Sequence, residues 1–137
     1  MIGDGFSHVS PLRSFIGYSQ RRVLAMLCEG EEGEFFQNRL AELRHLIDTM
    51  PKTYEQSDKE GAAVVYLHYF MGGCDWYITE KDKEREQLQA FGLADLGYGG
   101  ELGYISLVEV LQCGAELDLH WTPKTLDEVR ASRRVAA

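Results

Sequence analysis

The sequence predicts an α+β fold: an antiparallel, or mixed, sheet of about four strands, one main amphipathic helix packed on it, and two shorter helices. Three observations carry that reading. Residues 36–50 hold one apolar stripe at helical spacing, residues 63–80 alternate with a period of two around a glycine pair, and two S/T-x-x-E boxes mark helix starts late in the chain.

Residues 1–30 read as an N-terminal arm. Gly3, Gly5, Pro11 and Gly17 interrupt residues 1–18, which are expected to be irregular. Ser19 then fits an N-cap for a short helix with Val23, Leu24 and Leu27 on one face, ending at Gly30. The acidic stretch Glu29–Glu34 is the expected hinge.

The folded domain is placed over residues 31–128. Phe36, Leu40, Leu43, Ile47 and Met50 follow one another at steps of four and three, which puts them on one face of a helix over 34–50. Phe35 and Leu46 widen that face, and Pro51 ends the helix because it forces the preceding residue out of the helical region. From Ala63 to Phe70 β-forming residues alternate on two apolar faces. Gly72-Gly73 turns the chain into a returning strand, Cys74–Glu80. Lys81–Glu86 is expected to be a solvated connection. Gln87–Leu96 supplies a third strand in which Ala90 and Gly92 leave room for a neighbour, and Leu102–Ile105 is short and extended. Ser106 and Glu109 form a capping box for a helix that Gly114 ends. Leu117, Leu119 and Trp121 alternate with Asp118 and His120 as a fourth strand, broken by Pro123. Thr125 and Glu128 open a terminal helix, expected to fray over residues 129–137.

Composition narrows the chemistry. With 137 residues, 45% hydrophobic and 26% charged, the chain is long enough for one domain with its own core. Its net charge of −8 arises wholly within residues 57–121, where twelve acids face four bases. An acidic domain repels phosphate backbones, so no direct nucleic-acid partner is expected. Cys28, Cys74 and Cys113 are an odd set without a CxxC pair, which fits free thiols in the cytoplasm. The apolar run Val23–Cys28 is too short to cross a membrane.

Motifs for catalysis or cofactors do not emerge. Gly97, Gly99 and Gly103 are spaced G-x-G-x-x-x-G, one residue too long for a dinucleotide loop, and no helix is expected to open from them. His68 with Cys74, and Cys113 with His120, are spaced too loosely for a zinc site, and no metal or cofactor is expected. The remaining signal is aromatic density beside acids: Trp76, Tyr77, Tyr98, Tyr104 and Trp121 accompany Asp75, Glu80, Asp95, Glu101 and Asp118. Trp76, Tyr104 and Trp121 are read as core and Tyr98 as exposed.

The segments Trp76–Asp82, Phe91–Gly97, Glu101–Leu107 and Leu117–His120 resemble a small bacterial domain family of unknown function. The lead-in Glu31–Met50, continued by Pro51–Gln56, is similar to that of its longer members. The resemblance covers about residues 31–128. It implies carriage on plasmids, phages and integrative elements, either free-standing or inside large proteins with antirestriction, methylase or helicase parts. Together these readings give a non-enzymatic, acidic protein-binding module of a mobile genetic element, acting against a host defence or nucleic-acid-binding protein. Glu80, Asp95, Tyr98, Glu101 and Tyr104 form the expected partner surface. Two alternatives stand beside it: a small-ligand-binding or hydrolytic enzyme using acids near the Asp95–Tyr104 turn with Glu80, and an accessory structural domain of a larger assembly.

Overall fold

The computed structural model describes residues 4–136 of the chain. The alternating run after residue 63 folds as the hairpin β2 (Leu67–Met71) and β3 (Cys74–Glu80), turned at Gly72, whose φ of +58° favours glycine. With β4 (Gln89–Asp95), β5 (Gly100–Ser106) and β6 (Glu116–Leu117) it forms a five-stranded antiparallel sheet in the order β5-β4-β3-β2-β6. A second, two-stranded ladder joins β1 (Val64–Val65) to β7 (Lys124–Thr125). The fold is α+β as the sequence predicts, with one more strand in the main sheet and a small ladder besides.

Register sorts the side chains onto two faces. Leu67, Ile78 and Gly92 lie in one cross-strand row of the inner face, and His68, Tyr77, Leu93 and Leu102 lie in the next row, on the outer face. Gly92 is required where it stands: a Cβ there would lie 2.0 Å from the Tyr77 carbonyl oxygen. The neighbour it makes room for is β3 itself.

Four helices cover the inner face: α1 (Asp4–Val9), α2 (Tyr18–Cys28), α3 (Gly33–Thr49) and α4 (Leu107–Gln112). Leu40, Leu43, Ile47 and Met50 of the main stripe are buried, with Phe36 partly so, whereas Phe35 is exposed and does not widen it. The irregular arm expected at residues 1–18 is instead helical from Asp4, continues as a 3-10 turn over Ser10–Leu12, and belongs to the core. Val9, Leu12, Phe15 and Ile16 are all buried there, and the Tyr69 hydroxyl donates to the Phe15 carbonyl at 2.5 Å. Gly5, read as a breaker, is a packing residue, since a Cβ there would sit 2.1 Å from the Ala25 carbonyl oxygen of α2. Gly17, without a side-chain cap, precedes α2, so Ser19 falls inside the helix; Leu24 is buried, but Val23 and Leu27 are exposed.

Two further corrections concern charge and pairing. Lys81 is not solvated: it is buried, and its ammonium donates to the Ile47 and Asp48 carbonyls at 2.6 and 3.3 Å, placing a cation at the C-terminus of α3. Burial pushes its pKa below the usual lysine value. The expected strand 117–121 stops at Leu117. Gln20 takes the Leu117 N–H and C=O, Arg39 Nε donates to the Leu119 carbonyl, and Asp118 Oδ1 accepts the His120 N–H to make a turn.

The late helix starts form as predicted. Ser106 Oγ accepts the Glu109 N–H ahead of α4, and Thr125 and Glu128 bond reciprocally ahead of α5 (Leu126–Ala136). α5 is helical through Ala136, across the residues expected to fray. Together with Ala63, Val65 and Trp121, its Leu126 and Val129 build a second core over Tyr77 and Leu93 on the outer face.

Because Val9, Leu12, Phe15 and Ile16 are core, Ile16→Asp is expected to destabilise the fold as severely as Leu43→Asp, each by several kcal/mol (about the whole stability of a small domain). Thermal melting of the two variants checks this. Near-wild-type melting of Ile16→Asp would restore the peripheral-arm reading.

Candidate functional site on the outer face of the sheet

The outer face is covered by α5 and Trp121 at its middle, over Tyr77 and Leu93, and left open over β5. Its polar groups are arranged in three clusters. Centrally, His68 lies between two carboxylates, with Nε2 2.7 Å from Asp75 Oδ1 and Nδ1 3.0 Å from Asp118 Oδ2. Each ring nitrogen thus faces one carboxylate oxygen. The imidazole stacks on Tyr77 with centroids 4.7 Å apart and planes 7° from parallel, and Trp121 packs beside both rings, 5.1 Å from His68 and 5.8 Å from Tyr77. Burial pushes the Tyr77 hydroxyl above its usual pKa; Asp75 adds to the rise and Arg133 opposes it. The cluster ties β2, β3 and the 118–121 turn together.

At the β4–β5 turn, Asp95 pairs with Arg133 of α5 and also accepts the Gly97 N–H at 2.9 Å. Gly97 and Gly99 adopt φ of +103° and +95°, which fit the tight reversal without strain. The run is a hairpin turn, and β5 follows it directly. Tyr98 stands 96% exposed at its tip.

The third cluster lies at the opposite end of the same face. Glu80, Phe91 and Tyr104 form one cross-strand row, and Tyr54 arches over it from the loop after α3. Glu80 is buried, and its Oε1 accepts the Tyr54 N–H at 2.5 Å. The Tyr54 and Tyr104 hydroxyls meet at 2.6 Å, and the Tyr104 ring packs edge-on against Phe91 at 5.6 Å. That hydroxyl contact leads the rise of the Tyr104 pKa above its usual value, with burial and the nearby Glu80 charge adding to it. Burial pushes the Glu80 carboxyl above its ordinary range, against the pull of the Tyr54 and Gln56 N–H groups.

The five residues expected as one surface are thus divided. Glu80 and Tyr104 are brought together; Asp95 and Tyr98 sit at the turn, roughly 13 Å away along the strands. Glu101 pairs with Ala94 and points to the other face. Tyr104, read as core, is 56% exposed, beside Leu102 at 46% and Tyr54 at 61%. Sequence reasoning missed Tyr54 and the His68 network. The signal for Tyr54 was weak: a tyrosine in a polar loop, held at φ +77°. His68 and Asp118 are fifty residues apart, beyond any local pattern.

The folded pKa of Glu80 is raised, so its protonated form favours the fold. That contribution is complete below the ordinary value of 4.5 and is lost as pH rises through the folded value. The stability of wild type relative to Glu80→Gln is therefore expected to fall with rising pH in the window just above 4.5. Denaturant unfolding across that window measures it; a flat difference would place Glu80 in water.

Among the described residues, no helix is long and apolar enough to cross a membrane. No curated protein and no solved structure matches the chain. A family model described as "Protein of unknown function (DUF2958)" matches residues 38–124, a span that includes α3 from Asn38 onward, the whole main sheet and all three clusters except Arg133. The chain belongs to the DUF2958 family of proteins of unknown function.

Proposed function

We propose that this protein is a non-enzymatic protein-binding module, and that the open part of its outer sheet face is the docking surface. One observation carries the reading: Tyr54, Leu102, Tyr104 and Tyr98 stay exposed along β4–β5 while the ionisable groups around them are engaged within the fold. Glu80 holds a backbone N–H, Asp95 holds Arg133, and His68 holds Asp75 and Asp118. Exposed aromatics on a rigid sheet supply contact area at little entropic cost, which suits recognition. The module acts in the cytoplasm, as part of a mobile genetic element, on a host defence or nucleic-acid-binding protein. Its acidic character suits a basic partner and opposes direct contact with nucleic acid.

A second reading has one observation in its favour. Glu80, with a raised pKa, shares a cross-strand row with Tyr104, whose hydroxyl meets that of Tyr54, which groups acid–base side chains at one place on the face.

The two readings separate by experiment. Partners are recovered from host lysate, and affinity is measured for Tyr98→Ala, Leu102→Ala and Tyr104→Ala, with Glu101→Lys, on the other face of β5, as the control. Under the binding reading each aromatic truncation weakens the complex in a graded way, by roughly 1–3 kcal/mol near a hot spot. Binding to duplex DNA near physiological salt stays weak. If no partner is recovered and Glu80→Gln abolishes a measurable turnover, the enzyme reading replaces it.

A further inference from the structure

β5 ends the main sheet on one side, and among the described residues only β4 pairs with it. The ladder fixes the direction of its backbone groups. Leu107 N–H donates to the carbonyl of Leu88, the residue opposite it when the β4–β5 register is continued. Hydrogen-bonded pairs recur at every second residue from there, at Ile105, Gly103 and Glu101. The N–H and C=O groups of Leu102 and Tyr104 therefore point away from β4, along the free edge. No loop or helix among the described residues takes them up.

Exposed edges usually carry a device against pairing, such as a lysine, a proline, a bulge or a short length. β5 has none of these. It runs for seven residues, GELGYIS, in unbroken register with β4. Glu101 is its one charged residue, and the acids nearby are engaged: Asp95 is paired with Arg133 and Glu80 is buried. In a chain of net charge −8 this edge is close to neutral, so two copies can approach there without strong repulsion.

The strand is also complementary to itself. Antiparallel pairing of two copies about Gly103 matches all seven residues, and every other register matches fewer. It sets Leu102 opposite Tyr104 of the second copy, Glu101 opposite Ile105 and Gly100 opposite Ser106, so no like charges face each other. In this register the outward N–H and C=O groups of Leu102 and Tyr104 bond to one another. Gly103 then faces its own copy on the axis as a non-hydrogen-bonded pair.

We propose that the protein pairs with a second copy of itself through the edge of β5, in this register, joining two five-stranded sheets about a two-fold axis. A second copy is favoured over an unrelated strand because the match is written into β5: its exposed apolar residues flank the glycine at its centre. The pairing uses the edge and leaves the outer faces open, so the Leu102 and Tyr104 patches of the two copies become continuous. It does not rest on the docking reading.

Sedimentation equilibrium of the full chain over a range of concentrations is expected to show a monomer–dimer equilibrium. Leu102→Pro removes an N–H that the monomer does not use, and edge strands tolerate proline. Its melting at high dilution should match wild type, while the dimer weakens by about tenfold or more. A second variant tests the register independently. Gly103→Cys, with the two less buried cysteines replaced by Cys74→Ser and Cys113→Ser, should form an intermolecular disulfide on mild oxidation. No neighbouring atom lies within 4 Å of a Cβ at that position. Facing residues of such a pair have Cα atoms about 4.5 Å apart, within disulfide reach. Glu101→Cys in the same background should not cross-link, because it faces Ile105. A monomer at every concentration overturns the proposal, as does a dimer that Leu102→Pro leaves intact, or a disulfide at 101 in preference to 103. A monomer whose Leu102→Pro variant loses a host partner assigns the edge to another protein's strand and overturns it equally. The docking reading is scored separately, on partner affinity.

Discussion

A five-stranded sheet whose middle strand is apolar on both sides must be covered twice, and this chain has helices enough to cover most of one face and the other in part. β3 sets the requirement: Ile78 is buried in the main core and Tyr77, one residue earlier, in the second. Four helices meet the first demand. On the second face α5, the β1–β7 ladder and Trp121 cover Tyr77 and Leu93, and the covering ends before β5. The exposure of Leu102 and Tyr104 follows from that shortfall, since β5 is an edge strand and α5 does not cover it. The candidate surface is thus a consequence of how the core is divided.

The same division accounts for the polar clusters. Where a sheet face passes from covered to open, polar side chains sit at the border, half-shielded, and must find partners. His68, Asp75 and Asp118 lie at one such border, and Asp95 with Arg133 at another. Each joins an element of the cover to the sheet: Asp118 anchors the turn that carries Trp121, and Arg133 anchors the last turns of α5. Glu80 differs, because its carboxylate holds the loop that lifts Tyr54 over the open end, and so it shapes the exposed patch without being part of it.

The features readable in the sequence were those fixed by local rules. Thr125 with Glu128, Ser106 with Glu109, and the glycine pair at 72–73 each act within a few residues and form as read. The misreadings share another cause, partners distant in the chain. Lys81 sits in a run of charges that looks solvated, yet it caps a helix more than thirty residues earlier. Leu117–Trp121 alternates as a strand should, but Gln20 and Arg39 take the backbone groups that a longer strand would need. Gly5 looks like a breaker and serves as the contact point of two helices. Of the expected site, Tyr98 was legible because a glycine-flanked tip leaves its residue in solvent. The grouping of Glu80 with Tyr104 depends on strand register and on Tyr54, which no local pattern specifies.

The family match adds a further distinction between what is shared with relatives and what is added to it. Residues 38–124 include the sheet, Tyr54, Glu80, Leu102 and Tyr104, so the open aromatic patch lies wholly within the matched segment. Val9, Leu12, Phe15, Ile16, Leu24 and Ala25 lie outside it, yet they are buried in the main core. The matched segment therefore does not close its own inner face in this protein; α1 and α2 complete it. The groove between α2, α4 and the loop before β4 is composite for the same reason, with Arg21 contributed from outside the match and Gln87 from inside it. A surface carried entirely by the shared segment and a groove assembled at the seam are under different constraints. The first needs only residues of the matched segment. The second forms only where a helix such as α2 packs beside that segment.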